Sequence, residues 1–158
     1  MNAGRFDYIM QIDPYTRELW RGIYSLDEPI PINPNPKGDI YLLNTAPSDD
    51  PGEHWCLLFR NNDVCELFDS YGHPPSFYKL HIPTYKNLIV YNPFQLQGPF
   101  SRTCGHHCLF FALHRARGFS FLQILTQLYF PQSPYAVNDN MVVNFIFTRF
   151  GTSLAKID

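Results

Sequence analysis

Apolar positions change their period along the chain. Between residues 39 and 91 they come in short runs broken by turn-forming clusters, which is the pattern of strands. Asp39–Asn44 reads as a buried strand, His54–Phe59 as an aromatic and aliphatic one, and Val64–Phe68 as one with Val64, Leu67 and Phe68 apolar. Arg60–Asp63, with Asn61 and Asn62 at its centre, forms a hairpin-type connection between the last two. Leu88–Tyr91 is a further strand candidate, Leu19–Tyr24 either a strand or a docking segment, and Phe6–Ile12 a short helix. Beyond residue 105 the period shifts to three and four. His106–Arg117 repeats Leu109, Phe110, Leu113 and Ala116 at helical intervals, with Ser101 or Thr103 available as its cap. Ser120–Tyr129 and Ala136–Phe150 share that period, the second with Asn138 or Asp139 as its cap. Asp27–Lys37, which holds Pro29, Pro31, Pro34 and Pro36, reads as an extended loop, and 45–53 as a turn-rich surface loop. Strands first and helices after, without repeat or linker, predict one α+β domain over residues 1–158. A central helix should pack on a small mixed sheet.

Composition narrows the partners. In 158 residues, 45% hydrophobic and 16% aromatic content suits a packed core and excludes a disordered tail. A net charge of −2, with no run of Lys or Arg, lacks the basic footprint of nucleic-acid binding. Arg102, Arg115 and Arg117 read as a solvated helix face. No stretch approaches the ~20 apolar residues of a membrane helix, and Met1–Tyr15 holds no secretory apolar stretch. None of the four cysteines (Cys56, Cys65, Cys104 and Cys108) pairs at two-residue spacing. Reduced thiols in an intracellular protein are the expectation.

The chemistry collects around Gln95–Gly105. Cys104 stands where a segment broken by Gly98 and Pro99 turns into the central helix. At a helix start, unpaired backbone N–H groups and the dipole favour thiolate over thiol. Gly105 leaves the approach to the sulfur open. Antiparallel pairing across the short hairpin puts His54 and Asp69 at the same end of two strands. The carboxylate could then fix the imidazole tautomer and turn the other nitrogen to the thiol. Gln97 offers an amide N–H to an oxyanion, and Trp55 could shield the site. Each residue also has a plainer role: Cys104 as a small core residue, His54 at a sheet edge, Asp69 capping a turn, Gln97 in a polar loop, Trp55 in the core. Cys108 reads as core. His106 and His107 point different ways on a helix, and with Cys104 and Cys108 they lack structural-zinc spacing, so no metal is expected. His73, His81 and His114 read as surface or core residues.

Gln97-Gly98-Pro99-x-Ser101-x-x-Cys104-Gly105 resembles the nucleophile segment of adenain, the adenovirus-type cysteine protease family. Leu42–Ala46 and Gly52-Glu53-His54-Trp55 are similar to that family's approach to its histidine. Phe68-Asp69-Ser70-Tyr71-Gly72 resembles its acidic block, with Asp as in the related SUMO-specific, Ulp-type proteases. The likeness runs from about Gly22 to Gly118 and keeps the order His, Asp, Gln, Cys, while the C-terminal third has no counterpart.

The resemblance implies an adenain/Ulp-like fold with Cys104 as nucleophile, His54 as base, Asp69 as orienter and Gln97 as oxyanion donor. From their places beside His54 and Cys104, and not from the resemblance, Trp55 and Gly105 are the expected substrate contacts. It implies peptide-bond hydrolysis through a thioester, near glycine. The substrates would be viral capsid and core precursors, met in the host nucleus and the virion. An activating viral peptide is compatible with it, but the cysteine near Lys86 that would bond such a peptide is missing. DNA, a cofactor in that family, is not expected on this slightly acidic chain. Two other readings stay open at this point: an isopeptidase acting on ubiquitin or SUMO, and a non-catalytic assembly or binding module.

Overall fold

The computed structural model describes residues 1–50, 54–84 and 88–155; the end of the 45–53 loop and the surroundings of Lys86 lie outside them. Among the described residues the chain runs α1 (Ala3–Ile12), β1 (Trp20–Tyr24), β2 (Asp39–Asn44), β3 (Trp55–Arg60), β4 (Cys65–Phe68), β5 (Ile89–Tyr91), α2 (Cys104–Ala116), a short α3 (Phe121–Gln123) and α4 (Tyr135–Leu154). The architecture is α+β. The strands form one mixed sheet in the order β1-β2-β3-β4-β5. The three central strands are antiparallel, and β1 and β5 join the edges in parallel. Leu19–Tyr24 is therefore a strand. Its register with β2 breaks between Trp20 and Gly22.

Both faces of this sheet are covered, which is why β2 and β3 are apolar almost throughout instead of alternating. Ile40, Leu42, Leu57, Phe59 and Phe68 point to the helix side, where they share one core with α1, α2 and α4. Tyr41, Leu43, Cys56, Leu58, Cys65 and Leu67 point to the other side, which is covered by Ile30, Ile82 and their loops. Arg60 fastens that loop layer by donating to the carbonyls of Pro31 and Ile32. On the helix side Asn2 caps α1 by accepting the Arg5 N–H at 2.8 Å, and α1 buries Phe6, Ile9 and Met10. The central helix α2 buries most of its length against β3, and α4 closes over α2.

Three expectations need correction. Arg115 and Arg117 do not make a solvated face. Arg115 holds the buried Glu66 at 2.9 Å and stacks on Phe59, while Arg117 holds the buried Asp13 at 2.5 Å. Burying either carboxylate alone would be costly, and the helix supplies its cation. The helical pattern of Ser120–Tyr129 gives only one α turn. Ser120 caps it in a reciprocal capping box with Gln123, and a π turn over Ile124–Leu128 follows, ahead of Pro131. Asn138 and Asp139 do not cap α4, which begins at Tyr135 after Pro134. Proline at that point has no N–H to leave unpaired and no side chain to cap with. Asn138 accepts the Phe130 N–H at 2.9 Å, and Asp139 reaches toward α2.

Candidate functional site

His54 immediately precedes β3 and Asp69 immediately follows β4. The register that pairs Leu57 with Phe68 brings these two ends together, and His54 Nε2 lies 2.6 Å from Asp69 Oδ1. Asp69 is fully buried. Besides His54, its carboxylate accepts the N–H groups of Tyr71 and His73, each at 3.0 Å, and the Tyr78 hydroxyl at 2.8 Å. Burial works against its charge, but His54 and the two backbone donors outweigh that and lower its pKa. Its backbone is held as well, since Asn92 accepts its N–H and donates to its carbonyl. The turn beyond it needs Gly72, which has φ +76° and lies against the backbone of Phe94 and Gln95. The His54 ring sits between Tyr71 and Tyr78, with centroids at 4.7 and 5.5 Å.

With Nε2 committed to Asp69, Nδ1 is left for the sulfur. Cys104 is the first residue of α2. Thr103 occupies the cap position without making a cap bond, and Ser101 bonds Gly98 and Thr103, so neither hydroxyl caps the helix as expected. The backbone N–H groups of Trp55 and Gly105 lie on the side of the sulfur, where they favour its thiolate. Burial raises the Cys104 pKa, yet His54 and these two N–H groups outweigh it, and the net direction is down. His54 shows the converse. Burial disfavours its imidazolium, but Asp69 and Cys104 together raise its pKa to about 9. Cys56 and Cys108 are fully buried, and burial pushes both thiols well up. Of the three thiols in this neighbourhood, only Cys104 is poised to ionise.

Gln97 is buried, and both ends of its amide are assigned by partners. Oε1 accepts the Ser70 hydroxyl at 2.5 Å, and Nε2 donates to the Ser101 carbonyl at 2.9 Å. Nε2 also lies 3.4 Å from the Tyr71 hydroxyl, and Ser101 and Tyr71 both line the cleft, so the NH2 group sits at its wall. That cleft, about 390 Å³, is lined by His54, Trp55, Tyr71, Gln97 and Cys104, with Met1, Ser101 and Arg102 at its sides. A larger cavity of about 560 Å³ lies at the far end of the hairpin, around Arg60 and residues 61–65. Its one thiol, Cys65, is pushed up to about 11 by burial, so the chemistry belongs to the smaller cleft.

The sequence expectation for Gly105 is not met. It is buried, and a Cβ there would sit 3.0 Å from Trp55 Cζ3 and 3.3 Å from Met1 Cβ. Glycine lets the indole come close to the first turn of α2; it does not open a path to the sulfur. Trp55 both lines the cleft and packs on Phe6. His54, Cys56 and Asp69 bring three ligand-type atoms within 4.8 Å. The carboxylate there is already satisfied and Cys56 is held protonated, so this donor set does not suit a metal. Nor do the four residues near the start of α2, because His107 is bonded to Asp139 and Tyr129, and Cys108 donates to the Trp55 carbonyl.

Sequence reasoning missed Tyr71 and Tyr78 around the imidazole, Ser70 behind Gln97, and Asn92 behind Asp69. Ser70 and Tyr71 carried a signal, as the residues that follow Asp69 in the acidic block; Tyr78 and Asn92 are placed by tertiary contacts. No family model and no curated protein matches the chain. No helix of the described residues is long and apolar enough to cross a membrane.

Proposed function

We propose that the chain is a cysteine peptidase of adenain type, with Cys104 as nucleophile, His54 as general acid and base, Asp69 as its orienting carboxylate, and Gln97 as oxyanion donor. One observation carries the reading. The 2.6 Å His54–Asp69 bond, the Cys104 sulfur and an oriented Gln97 amide meet in a single cleft. The order of these residues along the chain, and a nucleophile at the start of a helix laid on the sheet, support an adenain/Ulp-like arrangement.

In this scheme the Cys104 thiolate attacks the scissile carbonyl carbon. A C–S bond forms and the carbonyl electron pair moves to oxygen, where the Gln97 NH2 and the Cys104 backbone N–H receive it. The tetrahedral species collapses as the C–N bond breaks, and the His54 imidazolium gives its proton to the departing amine. Water, deprotonated by His54, then opens the thioester and returns the free acid and thiol. The Trp55 side chain in the lining and the modest cleft favour a small residue such as glycine at the reacting carbonyl. Viral capsid and core precursors are the proposed substrates.

Cys104→Ala tests this directly. The side chain is only partly buried at a helix start, so the variant should fold and lose all cleavage of a glycine-containing precursor. Cleavage retained by Cys104→Ala overturns the reading. Vinyl-sulfone derivatives of ubiquitin or SUMO that label Cys104 would redirect it to isopeptidase chemistry. Absence of labelling by every thiol electrophile at neutral pH would leave a non-catalytic module.

A further inference from the structure

Asp139 stands on α4, in the third of the chain that the adenain resemblance does not reach. Its side chain is 13% exposed, and three separate groups converge on it. Oδ2 accepts the Gly98 N–H at 3.0 Å. Oδ1 accepts the Thr103 hydroxyl at 2.9 Å and faces His107 Nε2 at 2.9 Å. His107, itself fully buried, is fixed from its other side by the Tyr129 hydroxyl, 3.0 Å from Nδ1. Burial opposes the charge on Asp139, but His107, Thr103 and Gly98 together lower its pKa. It is ionised at neutral pH and purely an acceptor.

Gly98 and Thr103 are the two ends of the segment between the oxyanion donor and the nucleophile. A Cβ at residue 98 would fall 2.9 Å from Asp139 Oδ2, so glycine is what lets the backbone come this close. Inside the segment, the Ser101 N–H donates to the Gly98 carbonyl and Ser101 Oγ bonds Thr103 Oγ1 at 2.9 Å. The Ser101 carbonyl in turn accepts from Gln97 Nε2 at 2.9 Å. One carboxylate thus fastens both ends of the segment whose middle carbonyl aims the Gln97 amide. It also ties that segment to α2, three residues beyond Cys104.

We propose that Asp139 is a positioning residue, holding the Gln97 amide in register with the Cys104 sulfur by clamping both ends of the 98–103 segment. The proposal rests on the peptidase reading above. Asp139 does not line the cleft, so it acts through Gln97 and not on substrate.

The test separates oxyanion stabilisation from thiolate formation. Alkylation by iodoacetamide needs the Cys104 thiolate but no oxyanion donor, whereas hydrolysis of a fluorogenic peptide ending in Gly-Gly needs both. Asp139→Ala should lower kcat by ~10- to 100-fold, as expected when a reacting group shifts by about an ångström. KM should stay within about twofold and the alkylation rate should match wild type, because the His54–Asp69–Cys104 set is untouched. Amide exchange at Gly98 should speed up by at least about tenfold as its acceptor is lost. Thr103→Val, a milder cut of the same clamp, should lower kcat in the same direction, and the double variant should fall no further than Asp139→Ala alone. An unchanged kcat in Asp139→Ala overturns the clamp, as does a kcat loss matched by slowed alkylation. If Asp139→Ala does not fold, Thr103→Val with unchanged kcat overturns it. A wild-type chain that hydrolyses nothing and resists acylation refutes the peptidase reading itself. The exchange measurement still reports in that case whether the carboxylate holds the segment.

Discussion

Asp69→Asn isolates the charge that the site places behind His54. The carboxylate has four donors arranged in two pairs, His54 and the Tyr71 N–H on Oδ1, and the His73 N–H and Tyr78 hydroxyl on Oδ2. An amide offers one oxygen and one NH2. Kept toward His54, the oxygen preserves the ring tautomer; the NH2 then faces Tyr78, which can turn to accept it, and the His73 N–H, which cannot. One partly buried donor is stranded, and unfolding should become easier by about 1 kcal/mol. The functional loss has a different origin. A hydrogen bond to a charged acceptor contributes about 1.5–3 kcal/mol. Without that charge, burial again governs His54, and its pKa falls from about 9. At 1.36 kcal/mol per unit, the alkaline limb of activity should move down by about 1–2 pH units, so that kcat/KM near pH 9 drops ~5- to 50-fold while the loss at pH 7 stays within about twofold.

The acid side has its own signature. Asp69 is held ionised more firmly in the folded chain than in the unfolded one. Its contribution to stability is therefore present above the ordinary carboxylate pKa of about 3.9 and is lost as pH falls through the folded value. The stability gap between wild type and Asp69→Asn should close on acidification. The measurements are urea denaturation from pH 7 down to pH 2 and hydrolysis from pH 5 to 10. A variant with the wild-type alkaline limb would refute the role given to the carboxylate, whatever its stability.

Two further substitutions test neighbouring parts of the site. Gln97→Ala should cost ~100- to 1000-fold in kcat, with iodoacetamide still labelling Cys104 at the wild-type rate; full turnover would remove Gln97 from the mechanism. Gly72→Ala places a Cβ 2.5 Å from the Phe94 carbonyl at φ +76°, so thermal unfolding should show a loss of at least about 2 kcal/mol. An unshifted melting temperature would contradict the turn geometry behind Asp69.

What could be read from the chain alone follows the range of the interactions involved. β2 runs over Asp39–Asn44, as its apolar run indicates, because that run is buried on both faces. The meeting of His54 and Asp69 was legible because a four-residue connection leaves a hairpin little choice of register. Arg115 and Arg117 were misread because their partners, Glu66 and Asp13, are 49 and 104 residues away. A sequence pattern shows that a helix position is polar, not which buried carboxylate will claim it. Gly105 was misread for a related reason. A glycine beside a nucleophile suggests open space, while the structure fills that space with an indole from β3. The capping roles assigned to Asn138 and Asp139 rested on residue type at a helix start; Phe130 claims the Asn138 amide and the 98–103 segment claims the Asp139 carboxylate.

The unequal covering of the sheet gives the molecule a stiff side and a yielding one. On one side α1 and α2 bear on the strands with α4 behind α2; on the other, irregular chain is held down in part by the grip of Arg60 on two carbonyls. Transient breathing should begin beneath that looser roof, where less packing has to be undone. The reacting groups hang from the ends of the innermost hairpin and from the helix pressed against it, so they ride with the stiff side. Their mutual alignment should outlast such excursions, much as a lens mount keeps its focus while the casing flexes.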